Sequence, residues 1–122
     1  MKAILIDVHS QTIKEVEVTQ TNGSNLQSMY EHIGCDCVAC VSIDDNNDIW
    51  VDDEGLLSIT PLSKFFLYNG YPQPLAGNGL IMGINPNDGR STDTTLSIQE
   101  VAESITFMNL RQVQLYAELN NM

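Results

Sequence analysis

His32, Cys35, Cys37 and Cys40 fall within nine residues of one another, and thiolates and imidazole are the ligands that zinc prefers. The spacing opposes a shared metal. In a regular strand Cys35 and Cys37 project to one face and Cys40 to the other, so three thiolates converge only if a bulge or turn intervenes. Paired Cys-x-x-Cys knuckles are absent, and neither His9 nor His32 comes with a motif that pairs it to a thiol. The expectation is free thiols, no metal and no catalytic cysteine. A second candidate is the stretch from Asp44 to Glu54, with six carboxylates in eleven positions. As a calcium loop starting at Asp44 it places Asn46 and Asp48 well, but it lacks the glycine required where Ile49 stands and the glutamate required where Gly55 stands. Asp52, Asp53 and Glu54 follow Trp50 and Val51, so carboxylates sit beside an aromatic ring at a strand end, an arrangement suited to a cationic or polar group. No nucleophile or phosphate loop accompanies them, and no catalytic residue is assigned. Gly77, Gly79 and Gly83 spell G-x-G-x-x-x-G, one residue off the dinucleotide fingerprint, and they precede a strand where the fingerprint opens a helix. With Pro72 and Pro74 they read as a tight loop, one that would equally suit the wall of a ligand pocket.

The elements that must position these residues follow from hydrophobic period and turn chemistry. Residues 2 to 8 and 13 to 19 read as a β-hairpin, with Val16 and Val18 on one face and Glu15 and Glu17 on a wet one. Ser24 and Gln27 fit a capping box. The helix they open carries Leu26, Met29, Tyr30 and Ile33 on one stripe, and Gly34 ends it. Cys37 to Ile43 is apolar on both faces and is expected as a central strand. Asp44 to Asn47 then turns the chain into a returning strand at Asp48 to Val51. A short helix is expected at 61 to 68, an extended segment at Tyr71 to Pro74, a fifth strand at Leu80 to Ile84 and a polar loop from Asn85 to Thr95. Ser97 and Glu100 make a second capping box, opening a helix with Val101, Ile105 and Met108 on one face that runs to about residue 118. Phe107, Leu110, Leu115, Tyr116 and Leu119 lie on several sides of it, so its second half either packs in the core or forms a homodimer interface. The reading is an α+β single domain over residues 1–122, with a mainly antiparallel sheet of four or five strands packed by two helices.

Composition bounds what such a domain does. Hydrophobic residues make up 43% of the 122 and charged residues 17%, enough to build a core and too uncharged for disorder. Sixteen Asp and Glu against five Lys and Arg leave a net charge of -11. Such a surface repels nucleic acid and anionic membranes and attracts cations and basic protein surfaces. The first ten residues lack the pattern of a signal peptide, and no stretch approaches the roughly 18 apolar residues of a membrane-spanning helix. An odd cysteine count in one short cluster suits a reducing compartment, so a cytoplasmic location is expected.

Four stretches together resemble one family. They are the opening MKAILID, the Ile33-Gly34-Cys35 helix end, Trp50-Val51-Asp52-Asp53-Glu54-Gly55-Leu56-Leu57, and Tyr71-Pro72-Gln73-Pro74-Leu75-Ala76-Gly77-Asn78-Gly79. Their order is similar to that of a phage and bacterial family catalogued as a domain of unknown function, number 3846. The resemblance covers about residues 1–108 and implies a phage or mobile-element origin, without implying catalytic residues. The cysteine cluster and the stretch after residue 108 lie outside its pattern.

Two functions are compatible with these features. One is a non-enzymatic accessory protein whose acidic surface occupies a basic host or defence protein, with no cofactor. The other is a module that binds or sequesters a small molecule such as a nucleotide signal, in a pocket formed by Trp50 and the loop from Tyr71 to Gly79. The binding residues named by the two readings are Asp48, Trp50, Asp52, Asp53, Glu54, Tyr71, Pro72, Pro74 and Asn78.

Overall fold

The computed structural model describes residues 1–120. Strands β1 (Lys2–Asp7) and β2 (Thr12–Glu17) form the expected antiparallel hairpin. Asp7 closes its turn by accepting from the backbone N–H groups of His9 and Ser10 at 3.0 and 3.2 Å. Burial alone would raise the Asp7 carboxyl, but the hydrogen bonds from Ser10 and His9 outweigh it and hold the group below its ordinary value.

Helix α1 (Leu26–Ile33) buries Met29 and Ile33, and Gly34 ends it in the left-handed region at φ 84°. The first capping box does not form. Asn25 takes the cap position, which leaves Gln27 one position short of the site from which a side chain reaches back. Gln27 donates to Glu31 at 3.0 Å, and Ser24 Oγ accepts from the N–H of Leu26 at 3.2 Å.

Strands β3 (Val38–Asp44) and β4 (Asn47–Asp52) form the second hairpin around Asp45 and Asn46, with a bulge between Ser42 and Asp44. A 3-10 turn at Gly55–Ser58 follows. Residues 61 to 68 do not make the expected helix. Their second half is β5 (Lys64–Tyr68), whose Phe65 and Phe66 are both fully buried, as a strand covered on two sides permits. After it come β6 (Leu75–Ala76), β7 (Gly79–Ile84) and the two-residue β8 (Ser91–Thr92). Helix α2 (Ile98–Ser104) opens on the expected box, with Ser97 Oγ accepting from the N–H of Glu100 and Glu100 Oε1 from that of Ser97, both at 3.1 Å.

The long final helix is interrupted. Ile105, Thr106 and Phe107 are β-branched or aromatic, and they form β9 (Ile105–Asn109), paired with β5 from Tyr68 to Lys64. Helix α3 (Leu110–Asn120) then restarts. Asn109 and Gln112 cap it reciprocally, each accepting the other's backbone N–H at 2.8 to 2.9 Å.

The α+β class and the mainly antiparallel sheet are as read from the sequence, with a layer added. The main sheet has the order β2-β1-β7-β4-β3, with β8 on the end of β7, and a second sheet has the order β6-β5-β9. Ile4, Ile6, Val8, Ile49, Val51, Phe66, Leu75, Ile81 and Val101 form the core between the two sheets. Ala3, Leu5, Val18, Met29, Ile33, Leu80 and Met82 form a second core under α1. The main sheet therefore has no wet face at its centre, while on its edge strand β2 Glu15 and Glu17 are exposed opposite Val16 and Val18, as the hairpin reading has them. The Phe66 ring docks where Gly79 has no side chain: a Cβ there would lie 2.6 Å from Phe66 Cζ. The central position goes to β7, and β3 lies at the sheet edge. Of the two apolar rows of β3, Ala39, Val41 and Ile43 pack on the inter-sheet core and Val38 on the α1 core, while Cys40 remains exposed. No helix among the described residues is long and apolar enough to cross a membrane.

Candidate functional site

The six carboxylates from Asp44 to Glu54 divide by strand position into three kinds. Asp44 and the exposed Asp45 lie in the turn, where Asp44 accepts from the N–H of Asn46 at 2.7 Å and from Asn47 Nδ2 at 3.1 Å. Asp48 is buried beside the Cys40 thiol. The free charge gathers at the far end of the hairpin. There Asp52 accepts from the N–H of Glu54 at 2.9 Å, and the N–H of Asp53 donates to the carbonyl of Cys37 at 3.1 Å. Those bonds bring Asp36 to the same end as Asp52, Asp53 and Glu54. Between Lys14 and Lys64 there are ten acidic residues and no Lys or Arg, and among the described residues none of the four carboxylates forms a salt bridge.

Trp50 and the loop from Tyr71 to Gly79 do not share a pocket. Successive residues of a strand face opposite ways, so Trp50 packs on the α1 core while its neighbour Val51 faces the inter-sheet core. The loop meets Val51. A cleft of about 160 Å³ lies between Ala39, Val41 and Val51 on one side and Leu56, Pro74 and Leu75 on the other, with Asp52 and Asp53 at its rim. Ligand pockets usually hold roughly 300–1,000 Å³, and no basic residue lines this one. The other loop residues have structural partners. Asn78 Oδ1 accepts from the N–H of Val8 at 2.9 Å, Tyr71 N–H donates to the carbonyl of Tyr68 at 2.9 Å, and the Pro72 carbonyl accepts from Tyr116 Oη at 3.3 Å.

His32 and the cysteines also separate. His32 Nε2 is 2.9 Å from the carbonyl of Glu17. Cys35 is partly buried against the α1 core, whereas Cys37 and Cys40 are exposed. Among the described residues no group of three or more His, Cys, Asp or Glu is placed to hold a metal. Desolvation raises the Cys35 thiol, with Asp52 and Asp36 adding to it; desolvation and the charges of Asp36, Glu54, Asp53 and Asp52 raise Cys37. Desolvation, helped by Asp48, pushes Cys40 from 9.0 to about 11 although part of the residue reaches solvent. The folded thiol thus holds its proton to higher pH than the unfolded one. Its contribution to stability is complete below pH 9.0 and is lost as pH rises through about 11. Alkylation of Cys40 at about pH 8 is expected to run roughly tenfold slower than that of free cysteine. The thiolate fraction falls about a hundredfold, and the greater nucleophilicity of the more basic thiolate returns part of it. Peptide mass spectrometry of timed samples checks this, and a rate equal to that of free cysteine contradicts it.

Two groups were not marked by the sequence patterns. Asn47 is 0% exposed. Its Nδ2 donates to Asp44 and, at 2.8 Å, to Thr95 Oγ1, while its Oδ1 accepts from Thr94 Oγ1 at 2.6 Å and from the N–H of Thr95 at 3.2 Å. This network ties the hairpin corner to the segment after β8, and nothing in a run of polar turn residues distinguishes Asn47 from Asn46. The second group is apolar and outward. Leu57 and Leu62 are 83% and 85% exposed, with Leu56 and Ile59 beside them in the loop after the acidic cluster. The Gly55-Leu56-Leu57 run was legible as a motif, though not as surface. The last helix buries none of its residues, and Leu115 and Leu119 are exposed, so of the residues offered for a core or dimer role it is Phe107, now in β9, that packs on the core.

The family model described as Domain of unknown function (DUF3846) matches residues 1–106, from β1 into β9. The chain belongs to the DUF3846 family. The motifs that carried the resemblance lie in β1, at the end of α1, along β4 into the 3-10 turn, and in the loop that enters β7. This DUF3846 domain is also similar to the uncharacterized protein y4iR of Sinorhizobium fredii (strain NBRC 101917 / NGR234), with 29% identity over 111 residues. That alignment covers 91% of the chain and 65% of the relative, so the chain spans less than two thirds of that protein's length. No solved structure matches the DUF3846 chain significantly.

Proposed function

We propose that this DUF3846 domain is a non-enzymatic interaction module that docks on a basic protein surface. Its family resemblance implies a phage or mobile-element origin, and the acidic surface suits a host or defence protein in the cytoplasm as the target. One observation carries the reading: Asp36, Asp52, Asp53 and Glu54 converge at one end of the hairpin, next to exposed Leu56, Leu57, Ile59 and Leu62. Magnitudes divide the work between the two. An exposed ion pair contributes about 0.2–1 kcal/mol and is screened by salt, whereas full burial of one leucine contributes about 1.5–3 kcal/mol. The leucines hold the complex, and the carboxylates set which surfaces approach and how fast. Small size and the absence of a basic lining weigh against the cleft as a nucleotide site.

Affinity capture from a host lysate, with identification of the retained protein, is the test. The expected partner has a basic surface and associates faster at low salt than at high salt. Partners that are neutral or acidic, or association rates indifferent to salt, sink the proposal.

A further inference from the structure

The two edges of the main sheet are built differently. Strand β2 carries Lys14, Glu15 and Glu17 among its six residues, the charged pattern that discourages further pairing. Strand β3 has no Lys or Pro and no charge before Asp44. Its pairing potential is also still available. The N–H of Asp53 donates to the carbonyl of Cys37, which makes these two a hydrogen-bonded pair of the antiparallel ladder. Hydrogen-bonded and non-bonded pairs alternate, so Ala39 and Val41 direct their backbone groups to β4. Val38, Cys40 and Ser42 direct theirs outward, and among the described residues no strand lies on that side.

We propose that β3 accepts an extended cationic segment of a partner protein as an added strand, by main-chain hydrogen bonds to Val38, Cys40 and Ser42. The inference rests on the acidic-module reading and names the form in which the basic partner is engaged. Charge selects the occupant. Asp36 and the Asp52 to Glu54 cluster bound one end of the edge, and Asp44 and Asp45 bound the other. A second copy paired about Cys40 would set Asp36 opposite Asp44 at both ends, and like charges directly opposed are unfavourable. The two faces ask for alternation. Cys40 and Ser42 are short and lie beside Trp50 and Asp48 of β4, leaving room for long basic side chains to cross toward the carboxylates. The other face presents Ala39, Val41 and Leu56 to apolar ones.

The probe is a capped octapeptide alternating lysine and valine, compared with its fully N-methylated counterpart of equal charge. On addition of the first peptide to the full chain at low salt, amide exchange at Val38, Cys40 and Ser42 is expected to slow at least tenfold. Exchange at Ala39 and Val41, already paired, should stay unchanged, and the N-methylated peptide should bind at least tenfold more weakly. Equal binding of the two peptides, or binding that leaves the three outward amides unaffected, overturns strand addition while leaving the acidic-module reading standing. If neither peptide binds at low salt, both fall.

Discussion

Gly83→Ala is expected to lower the unfolding free energy by about 3 kcal/mol, the upper part of the range for overpacking a close contact. For a chain of this size that corresponds to a fall in Tm of roughly 10 °C. Gly83 lies in the central strand, opposite Asn47 on one side and Thr92 on the other. A Cβ built on it would sit 2.1 Å from the backbone oxygen of Asp93 and 2.5 Å from Thr92 Oγ1. Backbone cannot rotate away as a side-chain tip does, so the segment through Thr92 and Asp93 has to lift. The effect then spreads, because Thr94 and Thr95 in that segment hold Asn47, and a displaced segment leaves the fully buried Asn47 Oδ1 without a donor. Urea denaturation gives the stability change. Amide exchange should quicken at Asn47 and Asp48 more than in β1. A variant within half a kcal/mol of the parent would mean that the segment does not rest on β7.

The second large effect is on association. Converting Asp52, Asp53 and Glu54 to Asn, Asn and Gln removes three of the sixteen acidic groups without changing side-chain size. With the basic partner identified by capture, the association rate at low salt is expected to fall about tenfold and its salt dependence to flatten, while dissociation changes little. Leu57→Ser with Leu62→Ser should do the reverse, speeding dissociation and leaving the salt dependence intact. Stability should not fall in the charge variant, since it relieves self-repulsion. Stopped-flow measurements at several salt concentrations separate the two variants. An unchanged association rate in the triple variant would remove the carboxylates from the interface.

Local signals in the sequence were accurate where the competition they faced was local. The apolar stripe of α1, its left-handed end at Gly34, the Ser97–Glu100 box and both hairpins follow from spacing and turn chemistry within a few residues. One local signal failed, the Ser24–Gln27 box, because the neighbouring Asn25 took the cap position; the other failures depended on distant partners. Ile105, Met108 and Val101 have helical spacing, yet Met108 pairs with Phe65 in a sheet, a contact across some forty residues that no window contains. The apolar alternation from Cys37 to Ile43 looked central because an edge strand beneath a second layer also has two apolar rows. The candidate site was legible as an acidic hairpin beside a motif. Its geometry was not, because Trp50 and Val51 are adjacent in sequence and opposite in space, so the aromatic ring and the proline-rich loop ended on different sides of the sheet.

The position of β7 has a consequence for how this chain comes to be folded. The β1–β2 and β3–β4 hairpins are local, and hairpins of this kind form in about 1–10 μs. They do not touch each other in the finished ladder. Each meets only β7, with Leu5 opposite Leu80 on one side and Trp50 opposite Leu80 on the other. Until Gly79 to Ile84 inserts between them, the two hairpins expose bare inner edges and their apolar faces are incompletely covered. Insertion closes a loop of many tens of residues, the kind of non-local step that slows folding to roughly milliseconds or longer. During vectorial synthesis the ribosome releases the keystone only after two thirds of the domain, so the nascent chain passes through an interval in which its most pairing-prone strands face outward together.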